Sequence, residues 1–277
     1  QINALNGKYF QQHTSIRKQI VPVGHSVRFG YLETAVAMLA RENGDKTLVS
    51  ALEQVWESMV TRRMYVTGGI GSVPGSEGFG NDYELDPEYA YAETCAALAS
   101  LFWNWEMAQL TNQAKYSDLF EWQLYNAAAV GMGLDGASYL YNNPLTCRGG
   151  VTRKPWYSVP CCPSNLSRTW ADLGKYIFSA NDEEIFVHQY IDSEYDGGLA
   201  KIEIHSELPW MEKVKITVDS SVPSEFTLNL RLPSWCNAEA TRISCNGEFF
   251  PLSPASHQDK IAASGYDPRE GRWLNLK

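Results

Sequence analysis

Near residue 182 the hydrophobic pattern of this chain changes period, and that change limits the folds open to it more than any other feature. Upstream, apolar residues recur every three or four positions. Leu32, Val36, Leu39 and Ala40 stripe residues 31–42, Asn43-Gly44 ends the run, and Leu48, Leu52, Val55, Trp56 and Met59 repeat the pattern after a capping Asp45. Two helices with so short a join must lie antiparallel. Further helices are expected over 88–106, with Cys95 near its start, over 117–134, and over 166–178, capped by Ser164 or Asn165 with Pro163 at its mouth. Downstream the period is two: residues 185–190, 201–205, 214–218, 226–232 and 242–245 alternate, and Asn246-Gly247 is a hairpin signal. Short strands at such spacing predict a β-sandwich. The expected architecture is mainly α followed by β, with a helical portion over 1–182 and a β-sandwich over 183–277. Every candidate catalytic residue falls on the helical side.

Within that helical portion Cys161 and Cys162 are adjacent. Neighbouring cysteines do not easily bond each other, because the ring that a vicinal disulfide closes is strained. Glu93 and Cys95 lie upstream, and zinc accepts thiolates and carboxylates in a tetrahedral shell, so Glu93, Cys95, Cys161 and Cys162 make a complete ligand set. The spacing is not that of a zinc finger, which keeps two to four residues between paired cysteines. Separate buried thiols account for the same residues, since free cysteine is a common small core residue, and both readings stay open at this point. Helical geometry adds an objection: positions 93 and 95 of a regular helix point about 200 degrees apart, so joint ligation requires a distorted first turn or a ligand that reaches around. In favour, cysteines placed just before a helix N-terminus feel its positive end, which promotes thiolate.

The glycine-rich stretch over 65–88 has neither GxGxxG nor a GK[ST] ending, so it is not a phosphate loop. A long ordered loop between helices is often functional, and it makes Glu77 a candidate against the plainer reading of a solvated loop glutamate. A net charge of −9 argues against nucleic acid and anionic membrane surfaces as partners. There is no run of about 18 apolar residues to cross a bilayer. No basic and then apolar leader is visible after Gln1, and the expected compartment is the cytoplasm. Nine Trp and fifteen Tyr suit stacking on sugar rings as well as core packing.

Several segments together resemble one family. They are Gly24-His25-Ser26-Val27-Arg28, Met64-Tyr65-Val66-Thr67-Gly68-Gly69-Ile70-Gly71, Ala90-Tyr91-Ala92-Glu93-Thr94-Cys95-Ala96, Leu124-Tyr125-Asn126, Tyr141-Asn142-Asn143-Pro144-Leu145 and Cys161-Cys162-Pro163-Ser164-Asn165-Leu166-Ser167-Arg168. They look like the β-L-arabinofuranosidases of glycoside hydrolase family 127. That resemblance implies an (α/α)6 barrel followed by β-sandwich domains and a zinc ion held by Glu93, Cys95, Cys161 and Cys162. It further implies Cys161 as nucleophile, Glu77 as general acid/base and His25 as a substrate contact. The implied substrate is an arabinofuranosyl oligosaccharide or plant glycan, and a homodimer is compatible with it. The few helices before residue 182 are too few for six helical hairpins, so the later part of such a barrel, or a divergent short form of it, is expected. Two other classes are weighed beside it. One is a sugar-binding or structural zinc domain; the other is an epimerase or uronate hydrolase of the α/α type, which would have no use for Cys161-Cys162.

Overall fold

The computed structural model describes residues 6–220, 225–236, 241–250 and 271–276. Helix α1, Ser26–Asn43, begins where the His25 ring accepts from the backbone N–H groups of Val27 and Arg28, two of the orphan donors every helix start leaves over. It ends at Gly44, which takes the left-handed conformation expected of a C-terminal glycine. Asp45 caps α2, Lys46–Arg62, through Thr47 and Leu48, and the expected stripe of Leu48, Leu52, Val55, Trp56 and Met59 is buried. Helix α3, Thr94–Thr111, is apolar on nearly every side and buried over most of its length. It packs on α1 at Gly30, where a Cβ would stand 2.7 Å from Ala99 Cβ, so the crossing requires glycine. Glu33, also on α1, is buried, and burial pushes its carboxyl up to about 8. Helices α4, Ala114–Gln123, and α5, Cys161–Ala171, follow.

Several helix boundaries differ from expectation, among them the end of the last helix, which stops at Ala171 and not near 178, and three of the differences have a local reason. The helix expected from 88 begins at Thr94, because Ala92 has φ 37° and Glu93 is extended. The helix expected over 117–134 stops at Gln123 and loosens into a π-helical turn, Leu124–Ala128, and a 3-10 turn, Ala129–Gly131. There the Asn126 side chain donates to Trp122 O at 2.9 Å, competing with the helix for a carbonyl. The last helix starts at Cys161 itself, not after it, with Pro163 inside the first turn. Proline is tolerated there because the first N–H groups of a helix have no partner to lose.

Strands follow the helices: β1 Phe178–Ala180, β2 Glu184–Val187, β3 Ser193–Asp196, β4 Lys201–Ser206, β5 Val214–Asp219, β6 Thr227–Leu232, β7 Ile243–Cys245, β8 Glu248–Phe250 and β9 Arg272–Leu276. One sheet has the order β1-β2-β6-β9, with β2 and β6 parallel, and a second has the order β3-β4-β5. Strands β7 and β8 form the hairpin signalled by Asn246-Gly247, both at positive φ. Ile185, Val187 and Leu228 of the first sheet share a buried cluster with Ile202 and Ile204 of the second. Strands β1, β3 and β9 were not expected from the sequence. The chain is thus a helical domain followed by a strand region. No helix among the described residues is long and apolar enough to cross a membrane.

By its contacts the chain divides into two compact units, one running to Asn112 and again over Leu119–Tyr176, the other holding Gln113–Asp118 and the chain from Ile177 onward. Beside its apolar cluster the second unit buries a polar network. Arg231 Nη1 donates to Asp118 Oδ1 at 2.8 Å, with both side chains fully buried, and Arg231 Nε donates to His188 O at 2.7 Å. The His188 ring lies 2.7 Å from both Ser117 Oγ and Ser179 Oγ. Burial, with Arg231 adding repulsion, pulls its pKa from 6.5 down to about 3. Below pH 6.5 the unfolded chain takes up a proton that the folded one refuses until about pH 3. Stability should therefore fall as pH drops through that window, by up to about 1.4 kcal/mol per pH unit for this one group. Urea midpoints at pH 7 and pH 4.5 should move closer together in His188→Gln than in the parent; an unchanged gap would remove His188 from the account.

Candidate active site

A close backbone crossing brings His25 and Glu77 together. A Cβ on Gly78 would lie 2.1 Å from Gly24 O, and Gly24 itself has φ 74°, so neither position admits a side chain without displacement. Phe79 N donates to Gly24 O, and the N–H and hydroxyl of Ser26 both donate to Glu77 O, which pins the loop to the start of α1. Glu77 sits at φ 50°, left-handed backbone that costs a non-glycine residue about 1 kcal/mol or more and recurs at functional positions. Its Oε2 lies 3.0 Å from His25 Nε2. Since Nδ1 of His25 accepts the two backbone N–H groups of α1, the ring proton is on Nε2 and is donated to Glu77. Burial lowers the His25 pKa against the opposing pull of Glu77, which favours this neutral tautomer.

The second half of the site is built from two helix starts. Glu93 is the N-cap of α3, at φ −62° and ψ 137°, yet its side chain does not cap the helix. Being extended instead of helical, it escapes the angular conflict between positions 93 and 95, and its carboxylate turns toward the sulfurs. Glu93 Oε1 is 3.7 Å from both Cys161 Sγ and Cys162 Sγ, and the two sulfurs are 3.9 Å apart and unbonded. Together with Cys95, the four ligand atoms all lie within 4.8 Å of one another. Zinc–sulfur bonds of about 2.3 Å in a tetrahedron require sulfurs about 3.8 Å apart, so the cluster has the dimensions of such a shell. Glu93 Oε2 is buried with no hydrogen-bond partner, an orphaned acceptor that a cation would satisfy.

Electrostatics point the same way. Burial and the nearby Glu77 push the Glu93 carboxyl up, and burial raises the Cys161 thiol to about 11 against the pull of the Tyr141 hydroxyl. Cys162 is raised by its hydrogen bond to Cys95 and by burial, while Cys95 is lowered as the acceptor of that bond. Glu93, Cys161 and Cys162 thus hold their protons more tightly than usual, and a divalent ion among these four atoms would invert that balance.

Glu93, Cys95 and Cys161 of the cluster form part of the wall of a pocket of about 380 Å³ that also takes in His25, Glu77, Tyr31, Tyr141, Ser164, Asn165 and Arg168, while Cys162 is buried beside them. Of the three clustered cysteines, Cys95 and Cys162 are buried and Cys161 is partly exposed. Every residue singled out from the sequence, His25, Glu77, Glu93, Cys95, Cys161 and Cys162, is therefore gathered in one place. Sequence reasoning missed the roles of Asn165 and Arg168, which stand four and seven positions after Cys161 and so share its helix face, a signal available in the spacing. Arg168 Nε donates to Asn165 Oδ1 at 2.6 Å, and its Nη2 donates to the Tyr31 hydroxyl at 3.0 Å. Tyr141 had no such signal among fifteen tyrosines.

This geometry defines a class: a metal-ready set of one carboxylate and three thiols beside a glutamate–histidine pair in a helical domain. The model of the β-L-arabinofuranosidase GH127 catalytic domain matches residues 3–175, and that of the GH127 middle domain matches residues 184–266. The chain belongs to glycoside hydrolase family 127. It is 36% identical to a non-reducing end β-L-arabinofuranosidase of Bifidobacterium longum subsp. longum, over 87% of this chain and 39% of that protein. A crystal structure of a GH127 β-L-arabinofuranosidase from Geobacillus stearothermophilus T6 superimposes with a TM-score of 0.87 at 35% identity, covering 97% of this chain and 43% of that one. A further GH127 β-arabinofuranosidase structure gives a TM-score of 0.82 at 31% identity, over 98% and 44% of the two chains. The chain spans about two fifths of the length of these relatives.

Proposed function

We propose that this chain carries the reacting groups of a retaining glycoside hydrolase that releases L-arabinofuranose, or a related sugar, from β-linked oligosaccharides. One observation carries the reading: the single partly exposed sulfur of the cluster, Cys161, lines the same pocket as Glu77. Two groups of this kind on one pocket wall suit the double displacement of a retaining glycosidase, with sulfur in place of the usual second carboxylate. Cys161 Sγ attacks the anomeric carbon as Glu77 gives its proton to the departing oxygen, leaving a sugar joined to sulfur. Glu77 then takes a proton from water as the water oxygen replaces sulfur on that carbon. His25 Nε2–H holds the Glu77 carboxylate toward the pocket through these steps.

Glu93, Cys95, Cys161 and Cys162 would hold zinc, which would keep the thiols ionised at neutral pH and fix their positions. The matched domains support reading residues 1–182 as the later part of an (α/α)6 barrel and 183–277 as a β-sandwich, the two sheets enclosing the shared cluster of Ile185, Ile202 and Leu228.

Glu77→Gln should lower kcat by about 10²–10⁴ on alkyl arabinofuranosides and far less on activated aryl ones, whose leaving groups need little protonation. Equal losses on both series would refute the acid role. Cys95→Ser should reduce bound zinc and lower Tm together, because ligand binding and folding are linked; parental zinc content by elemental analysis would exclude the proposed shell.

A further inference from the structure

One residue touches both adjacent cysteines, and it treats them differently. The hydroxyl of Tyr141 lies 3.1 Å from Cys161 Sγ, while its backbone carbonyl lies 3.9 Å from Cys162 Sγ. A carbonyl only accepts, so it does nothing for a thiolate; a phenol O–H donates, and a thiolate is the acceptor it suits. The donor is therefore aimed at the one of these two sulfurs that lines the pocket and is partly exposed. Its position is fixed from several sides. Thr94 N donates to Tyr141 O at 2.9 Å, and Leu140 N donates to Gly131 O at 2.8 Å. The Tyr91 and Tyr157 rings stand edge-on to the Tyr141 ring at 6.4 and 5.6 Å. Tyr141 also belongs to the pocket wall.

We infer that Tyr141 is a catalytic residue whose hydroxyl stabilises Cys161 as a leaving group, an assignment that rests on Cys161 being the nucleophile. When the sugar is released, water oxygen forms the new bond to the anomeric carbon, Glu77 accepts the water proton, and the C–S bond breaks with its electron pair going to sulfur. Negative charge then develops on Cys161 Sγ beside the waiting Tyr141 O–H, which donates a hydrogen bond and transfers no proton. The same bond works against the first step, because a donor on a thiolate lowers its nucleophilicity. Tyr141 thus favours the second half of the reaction over the first. It also accounts for the division of labour between two neighbouring sulfurs, since Cys162 has no equivalent donor among the contacts described.

Tyr141→Phe keeps the ring and removes the donor. With an activated aryl arabinofuranoside, chosen so that sugar release limits turnover, kcat should fall about 10–100-fold while kcat/KM holds or rises by up to several-fold, because the donor helps the sulfur leave and opposes its attack. Intact mass of protein quenched during turnover should show the sugar accumulating on Cys161 in the variant. A readout independent of turnover is alkylation of Cys161 by iodoacetamide at fixed pH in the zinc-loaded protein, which should run several-fold faster in the variant. Zinc content and Tm equal to the parent's would confirm an intact site. A sugar adduct on Cys161 in both proteins, with parental kcat and alkylation rate in the variant, would overturn the role of Tyr141 and leave Cys161 standing. No adduct on Cys161 in the parent would overturn both.

Discussion

Cys161→Ser should lose turnover almost entirely, with kcat down by about 10⁴ or more, the scale on which removal of a covalent nucleophile is felt. The serine hydroxyl is a poor stand-in because it remains protonated where a metal-held thiol is ionised. Both adjacent cysteines belong to the proposed shell, so each substitution weakens zinc binding, and the comparison must be made with zinc in excess. Under that condition Cys162→Ser should retain measurable turnover, for its sulfur is buried and faces protein, whereas Cys161→Ser should not. Steady-state rates on an aryl arabinofuranoside decide the matter. Equal loss in both variants at equal zinc content would mean that the two sulfurs act only as ligands.

The second large effect lies in the strand-rich unit and concerns stability. Asp118→Ala should destabilise the protein by about 3–5 kcal/mol, because it leaves the Arg231 guanidinium charged in a fully buried position. The loss would spread through the groups that Asp118 and Arg231 organise. Ser234 bonds Asp118 through both its N–H and its hydroxyl, Tyr190 O–H donates to Arg231 O, and Arg231 Nε holds the His188 carbonyl. A buried pair owes much of its apparent strength to the cost of leaving one charge alone. The double variant Asp118→Leu with Arg231→Met should accordingly be more stable than either single one. Urea unfolding of the four proteins checks this, and additive losses would show that the pair is not coupled as described.

Much of the fold was legible because long amphipathic stretches announce themselves. The stripes over 31–42 and 48–59, with Gly44 and Asp45 between them, became α1 and α2 with little change. Strands with alternating burial, such as β4, were equally plain. What failed was the exact start of helices, and the active site is made of helix starts. Whether residue 93 is the first helical residue or the extended residue before it cannot be read from periodicity, and the whole objection to joint ligation turned on that one position. Pro163 was placed at the helix mouth when it sits within the first turn, which moved Cys161 and Cys162 onto α5 itself. Strands β1, β3 and β9 are short, and two of them pair with partners distant in sequence or carry polar residues such as Ser193, Glu194 and Asp196. The meeting of His25 with Glu77 depends on a backbone crossing at Gly24 and Gly78, a contact across more than fifty residues that no local pattern encodes.

The central claim is that Cys161 bonds to the sugar, and one measurement reaches it directly. The protein, loaded with zinc, is quenched during turnover of a slow arabinofuranosyl substrate with a good leaving group, digested, and its peptides mapped by mass. The account predicts one pentosyl unit on the peptide carrying Cys161, assigned to that residue by fragmentation and absent from Cys161→Ser. A pentosyl unit on Cys162, or on the carboxylate of Glu77 or Glu93, would contradict it.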